Sequence, residues 1–188
     1  CTVQRVSYTG DLGFEIYCDP MDQRQLWWTL WNAGQPFDIA PFGMRAMMSL
    51  RLDRHFGSWL SEFSPDYTAA ETGMERFISF KKPVDFIGRA AAQAERDAPP
   101  ARILAVFEVD ADADVVAYEP VFIDGTVQGF CTSGGYSHHQ GKSIALALIP
   151  RAHAVAGKQV EIEIMGKLRK ATLITQPTFD PNGEKMRG

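Results

Sequence analysis

The sequence predicts an α+β fold that ends in an all-β barrel or jelly-roll-like domain. Apolar residues recur at helical spacing in the first part of the 188-residue chain, whereas they alternate with period two after residue 101. Between the two patterns lies Ala-Pro-Pro-Ala at 98–101, where consecutive prolines break a helix and stiffen the connection. We therefore expect one domain at 1–97 and a second at 98–188.

The chain opens with a predicted β-hairpin. Residues 2–9 and 14–18 alternate apolar and polar side chains around the turn sequence Thr-Gly-Asp-Leu-Gly. Successive strand residues point to opposite faces, so Glu15 and Tyr17 should share one face of the hairpin. A hairpin uses glycines at its turn but needs no carboxylate within a strand, so Glu15 is either a solvated side chain or a residue that holds a ligand.

Three helices are predicted after the hairpin. Asp19 suits the N-cap of the first, Pro20 its first position and Gly34 its C-terminal cap. The second spans about 41–54, and an Ala-rich third spans 85–97. Most methionine and tryptophan side chains are expected to pack in the core, because they recur at helical spacing.

The remaining predicted elements are strands. Residues 58–75 form a long irregular segment, and 77–81 are predicted to form a strand. Six further short strands have the spacing of a barrel or sandwich, at 103–109, 120–123, 126–132, 143–149, 159–165 and 170–174. Asp124-Gly125 and Gly166-Lys167 are natural hairpin turns between them.

Composition and charge argue against several classes of function. The net charge is −4 and the pI about 5.6, which leaves no basic surplus for nucleic acid or an anionic membrane. No apolar run reaches the roughly 18–20 residues of a membrane span. The three cysteines are widely spaced, which suggests neither a disulfide framework nor a metal site and favours a reducing compartment.

Local motifs for metals and common cofactors are weak. The acidic run at 110–114 lacks the glycine and glutamate of a calcium loop and is interpreted as a solvated turn. His138 and His139 have no further ligand at a suitable spacing, so they are a loop pair or part of a loop that touches a substrate. No dinucleotide-binding, Walker or nucleophile-elbow motif occurs. We therefore assign no catalytic and no metal-binding residue.

Four segments, in order along the chain, carry a resemblance to a known family. They are SYTGDLGFEIY at 7–17, FGMRAMMSLRLD at 42–53, DFIGR at 85–89 and GFCTSGGYSHHQGKSIALALIP at 129–150. Together they resemble the aminomethyltransferase family, which includes the glycine-cleavage T-protein and binds tetrahydrofolate. The resemblance implies part of a folate-binding domain followed by the family's C-terminal barrel.

Further details resemble one branch of that family. The segment from Phe42 to Trp59 and the closing TQPTFDPNGEKMRG are similar to the C-terminal part of dimethylglycine and sarcosine dehydrogenases. In those enzymes a FAD domain oxidises an N-methyl amine, and the aminomethyltransferase-like region passes the carbon to tetrahydrofolate. The resemblance implies that FAD, the catalytic aspartate and more aminomethyltransferase sequence lie upstream, so this chain alone would not turn over substrate. Because the chain starts at Cys1, without Met, and runs straight into the first predicted strand, we expect it to be a piece of a longer protein.

The resemblance also implies site residues. Glu15 matches the glutamate that binds the pterin ring, and an ionised carboxylate can accept the ring N–H and the exocyclic amine together. Tyr8 matches an aromatic position that packs near the ligand or into the core. The family's folate-contacting arginine aligns with Met47, so Arg45 is the candidate replacement and Arg51 is interpreted as structural.

Three functional interpretations remain open. The favoured one is the tetrahydrofolate-binding part of a flavin-dependent dimethylglycine or sarcosine dehydrogenase. The alternatives are another tetrahydrofolate-dependent aminomethyltransferase or demethylase, and a non-enzymatic scaffold that has lost folate binding. The expected partners are folate and the upstream domains of the parent chain. The expected compartment is the cytoplasm, or the mitochondrial matrix in a eukaryote.

Overall fold

A computed structural model describes residues 1–110 and 112–188, and its mixed helices and strands confirm the α+β class. The first part contains two strands and three helices: β1 Thr2–Arg5, β2 Phe14–Tyr17, α1 Gln23–Gly34, α2 Met44–Asp53 and α3 Arg89–Asp97. The second part contains six strands: β3 Arg102–Val109, β4 Pro120–Ile123, β5 Thr126–Ser137, β6 Lys142–Pro150, β7 Gln159–Ile164 and β8 Lys167–Ile174. Short 3₁₀ turns lie at Gln35–Phe37, Met74–Phe77 and Arg151–His153.

The six later strands form a closed antiparallel barrel in the order β3-β6-β5-β4-β7-β8. Closure settles the choice between barrel and jelly roll in favour of the barrel. The turn at Asp124-Gly125 has both residues at positive φ, 51° and 81°, as predicted for a tight hairpin. The next hairpin turn is centred on Met165 and Gly166, one residue earlier than predicted.

The main core fills the inside of the barrel. Its members come from alternate positions of all six strands and include Phe107, Val121, Cys131 and Ile162, each with no exposed surface. Burial raises the pKa of the Cys131 thiol to about 12, so this thiol stays protonated and packs as an apolar group. The core thus follows from the period-two pattern, because one side of each strand faces inward.

Helix α2 lies against the outside of the barrel. Leu52 packs with Ile144 and Leu146 of β6, and the Ser49 hydroxyl donates to the carbonyl oxygen of Tyr136 at 2.5 Å. Strand β6 is therefore covered on both faces, which explains its continuous apolar run.

The predicted hairpin is present, with shorter strands than expected. β1 and β2 pair antiparallel, with Gln4 opposite Glu15, and the Val6 amide donates to the carbonyl oxygen of Gly13 at 3.2 Å. The connection at 6–13 is therefore an ordered loop rather than a two-residue turn.

Each predicted helix is present but begins later than expected. Asp19 stabilises a turn before α1, because its carboxylate accepts the Met21 amide at 2.9 Å and its carbonyl accepts the Asp22 amide. α1 then begins at Gln23. α2 begins at Met44, after the non-helical residue Gly43, and α3 begins after Gly88, which has a positive φ of 86°.

The strand predicted at 77–81 is wrong. These residues continue from a 3₁₀ turn into irregular chain, and no described strand lies beside them. The Arg89 guanidinium donates instead to the carbonyl oxygens of Phe80 and Lys82, at 2.9 and 3.4 Å. A side chain therefore satisfies the backbone groups that a neighbouring strand would otherwise pair.

The expectation that tryptophan and methionine fill the core is also wrong. Trp27 and Trp28 of α1 are 55% and 54% exposed, and Met21, Met44 and Trp59 are exposed as well. α1 has no buried residue. Its apolar stripe faces outward because the core is inside the barrel. Among the described helices, none has the length and apolar character needed to cross a bilayer.

Candidate functional site

Glu15 lies in the middle of β2, on the open face of the hairpin. Its carboxylate oxygen Oε2 accepts a hydrogen bond from the Tyr17 hydroxyl, so these two side chains share one face as predicted. This hydrogen bond raises the pKa of Tyr17, which keeps its hydroxyl a donor. Glu15 is exposed and retains acceptor capacity on both oxygens.

Tyr8 lies in the connection between β1 and β2. Its hydroxyl donates to the carbonyl oxygen of Gly57 at 3.2 Å, so it links the hairpin to the segment that follows α2. Burial raises the pKa of Tyr8, and the nearby Arg51 guanidinium partly opposes this effect. Tyr8 thus contacts the protein interior, while Glu15 faces solvent.

Helix α2 carries the arginines that were weighed as folate contacts. Arg45 is exposed in the first turn, Met47 is half-buried, and Arg51 is buried near the helix end with only 1% of its surface exposed. Arg51 donates to the carbonyl oxygen of Phe56 at 2.8 Å and pairs with Glu62 at 3.5 Å. These contacts support the structural interpretation of Arg51.

No hydrogen bond or ion pair in the described parts of the chain joins any two of Glu15, Tyr8 and Arg45. Tyr8 and Glu15 are nevertheless close in sequence and belong to one hairpin. Arg45 lies on a different element, at the start of α2. Their assignment to one binding site therefore remains a prediction.

No motif in the sequence indicated the buried network of hydrogen bonds around Glu62. This carboxylate has no exposed surface and accepts bonds from the Ser58 amide at 2.8 Å, the Ser61 hydroxyl at 2.7 Å and the Ser133 hydroxyl of β5 at 2.5 Å. Burial alone would raise the pKa of Glu62, but these hydrogen bonds outweigh it and lower the pKa. The ionised carboxylate joins Arg51 of α2 to the barrel.

A second buried carboxylate, Asp53, meets the turn between β5 and β6. It accepts a hydrogen bond from Ser137, lies 2.7 Å from Nδ1 of His139 and receives the Gln140 amide group at 3.4 Å. His138 points elsewhere and packs edge-on against Tyr136. The two histidines thus form part of a turn, and His139 connects this turn to α2.

Two open grooves flank the exposed stripe of α1. One has a volume of about 460 Å³ and is lined by residues that include Tyr17, Leu26 and Trp27. The other, of about 290 Å³, lies on the far side of Trp27 and Leu30, against Ile39 and Phe42. Both grooves are mainly apolar, and Trp27 lines each of them.

Within residues 1–110 and 112–188, His, Cys, Asp and Glu side chains form no cluster of three that could ligate a metal ion. Of the acidic run at 110–114, Ala111 lies outside the described residues. Asp112 pairs with the Arg169 guanidinium of β8.

Two family models match the chain, one on each side of the Pro-Pro connection. The GCVT N-terminal domain matches residues 1–82, and the glycine cleavage T-protein C-terminal barrel domain matches residues 102–180. The two models describe successive parts of the same protein and match in the same order here. The second match coincides with the observed barrel.

Curated relatives are similar over nearly the whole chain. Mitochondrial dimethylglycine dehydrogenase of Mus musculus is 38% identical over 177 residues, which is 94% of this chain and 20% of that protein. Aminomethyltransferase of Alkaliphilus metalliredigens is 36% identical over 186 residues, which is 98% of this chain and 50% of that protein. The chain therefore spans a fifth to a half of the length of these relatives.

A solved structure has the same fold. It is the crystal structure of glycine cleavage system aminomethyltransferase T from Bartonella henselae, with a TM-score of 0.86 and 24% sequence identity, covering 95% of this chain and 50% of that one. Both halves of the chain, their order and their fold thus agree with one family. The chain belongs to the aminomethyltransferase (glycine cleavage T-protein) family.

Proposed function

We propose that this chain provides the tetrahydrofolate-binding hairpin and the C-terminal barrel of a protein that transfers one-carbon units. The observation that carries the proposal is Glu15, an accessible carboxylate in mid-strand whose neighbour Tyr17 is aromatic. Tetrahydrofolate, when bound, would supply the nitrogen atoms that accept the carbon. This chain's own part is to bind and orient the pterin.

The donor and acceptor groups fit this role. Tyr17 occupies one acceptor position on Glu15 Oε2, and a carboxylate offers about four such positions over its two oxygens. About three positions remain, which is enough to accept the paired N–H donors of a pterin edge. A charge-assisted hydrogen bond of this kind contributes roughly 1.5–3 kcal/mol.

Tyr8 and Arg45 have supporting roles in the proposal. Tyr8 is anchored on Gly57 and contributes to the shape of the hairpin connection. Arg45 is exposed and forms no ion pair with a described residue, so its guanidinium is available for a carboxylate or carbonyl of the ligand. Met47 is half-buried and cannot provide such a charge.

We further propose that the parent is a flavin-dependent dehydrogenase of N-methyl amines, with FAD in an upstream domain. Support comes from the 38% identity to dimethylglycine dehydrogenase and from the exposed apolar face of α1. Upstream domains of the same polypeptide would cover that face, since exposed patches of this kind mark interaction sites. In the proposed parent, residues 1–97 and 98–188 of this chain belong to two domains, and the protein acts in the cytoplasm or the mitochondrial matrix.

Calorimetric titration with tetrahydrofolate tests the proposal. We expect saturable binding that Glu15→Gln weakens about 10- to 150-fold, the equivalent of roughly 1.5–3 kcal/mol. The matched control is Glu163→Gln, the same change on barrel strand β7. It should leave the dissociation constant unchanged.

Two outcomes would contradict the proposal. Equal affinity in wild type and Glu15→Gln would remove Glu15 from the pterin site. Absence of binding, both in this chain and in the same chain joined to its natural upstream sequence, would favour the scaffold interpretation that Met47 suggests.

A further inference from the structure

The chain after β8 crosses from the barrel to the hairpin. We call residues 175–188 the C-terminal strap. At its start, the Thr178 hydroxyl donates to the side chain of Gln140, and the Phe179 ring stacks on His139 with ring centres 4.1 Å apart. The strap is thereby attached to the turn between β5 and β6.

The middle of the strap is a compact turn centred on Asp180. Its carboxylate accepts the backbone amides of Glu184 at 2.9 Å and Lys185 at 3.2 Å. Partial burial acts to raise the pKa of Asp180, but these amides and the Arg54 guanidinium outweigh it and lower the pKa. The turn therefore carries a fixed negative charge that faces Arg54.

The end of the strap contacts the hairpin. The Arg5 guanidinium of β1 donates to the carbonyl oxygens of Met186 and Arg187, and Lys185 lies 4.0 Å from the carboxylate of Asp11. A Cβ atom placed on Gly188 would lie 3.2 Å from the Leu12 side chain. The strap thus connects the barrel to both β1 and the connection at 6–13.

Arg54, at the end of α2, lies where these elements meet. Its guanidinium donates to the carbonyl oxygen of Asp180 and lies 4.0 Å from the Asp180 carboxylate, and only 10% of its side chain is exposed. Its Cγ atom would lie 2.6 Å from a Cβ atom on Gly10, which has a positive φ of 91°. The aliphatic part of Arg54 thus packs against the hairpin connection, while its charged end holds the strap.

We propose that Arg54 is a positioning residue that holds the connection at 6–13, and with it Tyr8 and Glu15, in place through the C-terminal strap. Exposed ion pairs stabilise little, but both partners here are about nine-tenths buried and the guanidinium also bonds a backbone carbonyl. A two-stranded sheet is marginally stable alone, so β1 and β2 depend on such external contacts. The consequence for folate affinity rests on the function proposed above.

Hydrogen exchange on the whole chain tests the first part of this inference. In Arg54→Met we expect at least a tenfold loss of amide protection at residues 2–17, with protection of the barrel strands unchanged. Arg54→Lys should restore part of the protection, because it keeps the charge that faces Asp180. The control is Arg169→Met, which removes a guanidinium paired with Asp112 on the barrel and should leave the hairpin protected.

Titration with tetrahydrofolate tests the second part. We expect the dissociation constant of Arg54→Met to rise about tenfold and that of Arg54→Lys to rise less. Unchanged hairpin protection in Arg54→Met would overturn the inference, whatever the folate result. If Arg54→Met loses amide protection at residues 2–17 but keeps the wild-type dissociation constant for tetrahydrofolate, Arg54 has no role in ligand binding.

Two further results are distinguishable from these. If wild type binds no tetrahydrofolate, the proposed function fails while hydrogen exchange still decides the role of Arg54. If Arg54→Met also exposes the barrel amides, hydrogen exchange is repeated on Asp180→Ala, which removes the carboxylate that faces Arg54 and leaves α2 intact. Protection lost only at residues 2–17 in that variant supports the inference, and any other pattern overturns it.

Discussion

The barrel and the hairpin region are built in opposite ways. Every barrel strand has two hydrogen-bonded neighbours, and one continuous core fills its interior. β1 and β2 instead form an isolated pair, and α1 beside them has no buried residue. The barrel can therefore hold its own shape, because a closed sheet has no free edge.

The difference shows where binding and stability reside. The candidate ligand residue Glu15 lies in the region with little core of its own, and three sets of contacts join that region to the barrel. These contacts are the Glu62 network, the Asp53 cluster and the C-terminal strap. Functional elements are often drawn from the less stable parts of a fold, because they must remain accessible.

The largest expected effect compares one residue type in the two regions. Phe107→Ala, inside the barrel, should lower the free energy of unfolding by about 3–5 kcal/mol, because it leaves a cavity in a closed core. Phe14→Ala in β2, where the ring is 58% exposed, should cost less than about 1 kcal/mol. Urea unfolding measures both. Equal losses would show that the hairpin has a core of its own.

The next effect concerns the connection between the regions. Glu62→Gln should cost about 3 kcal/mol, because it leaves the buried Arg51 guanidinium without an opposite charge. The control is Glu71→Gln, whose partner Arg102 is 44% exposed and so remains hydrated, with an expected cost of about 1 kcal/mol or less. The same urea titration measures both variants. A smaller loss for Glu62→Gln than for Glu71→Gln would show that the buried Arg51–Glu62 pair does not stabilise the fold more than the exposed pair does.

The smallest effect is a pH dependence at His55. Burial, and secondly the Arg54 charge, lowers the pKa of His55 from 6.5 to about 4 in the folded chain. As the pH falls, the unfolded chain therefore takes up a proton at His55 before the folded chain does. Stability from neutral His55 is therefore complete above pH 6.5 and is lost as the pH falls towards 4, by about 2 kcal/mol between pH 8 and 5.

His55→Asn isolates this contribution. Asparagine tolerates the left-handed conformation at this position, where φ is 58°, and does not titrate. Urea midpoints from pH 8 to 5 should fall less in the variant than in wild type. Parallel pH profiles would mean that His55 is not the responsible group.

The barrel was predictable, and much of the hairpin region was not. The short strand-like segments after residue 101 predict all six barrel strands, including β6, which is apolar throughout because it is covered on both faces. The Asp-Gly turn was found where expected. The strand predicted at 77–81 is absent, because a strand also requires a neighbour to pair with. The exposed stripe of Trp27 and Trp28 was not predicted for a similar reason. The spacing of apolar residues reveals an apolar helix face but not which part of the protein covers it.

By itself, the sequence determined the α+β class, the barrel strands and the mid-strand position of Glu15, because these depend on the order of neighbouring side chains. Only the tertiary structure decided which charges meet. Glu62 and Ser133 are 71 residues apart, Asp53 and His139 are 86 apart, and Arg54 and Asp180 are 126 apart. The sequence contains several possible donors for each carboxylate. Which of these pairs form depends on how the barrel and α2 bring distant segments together.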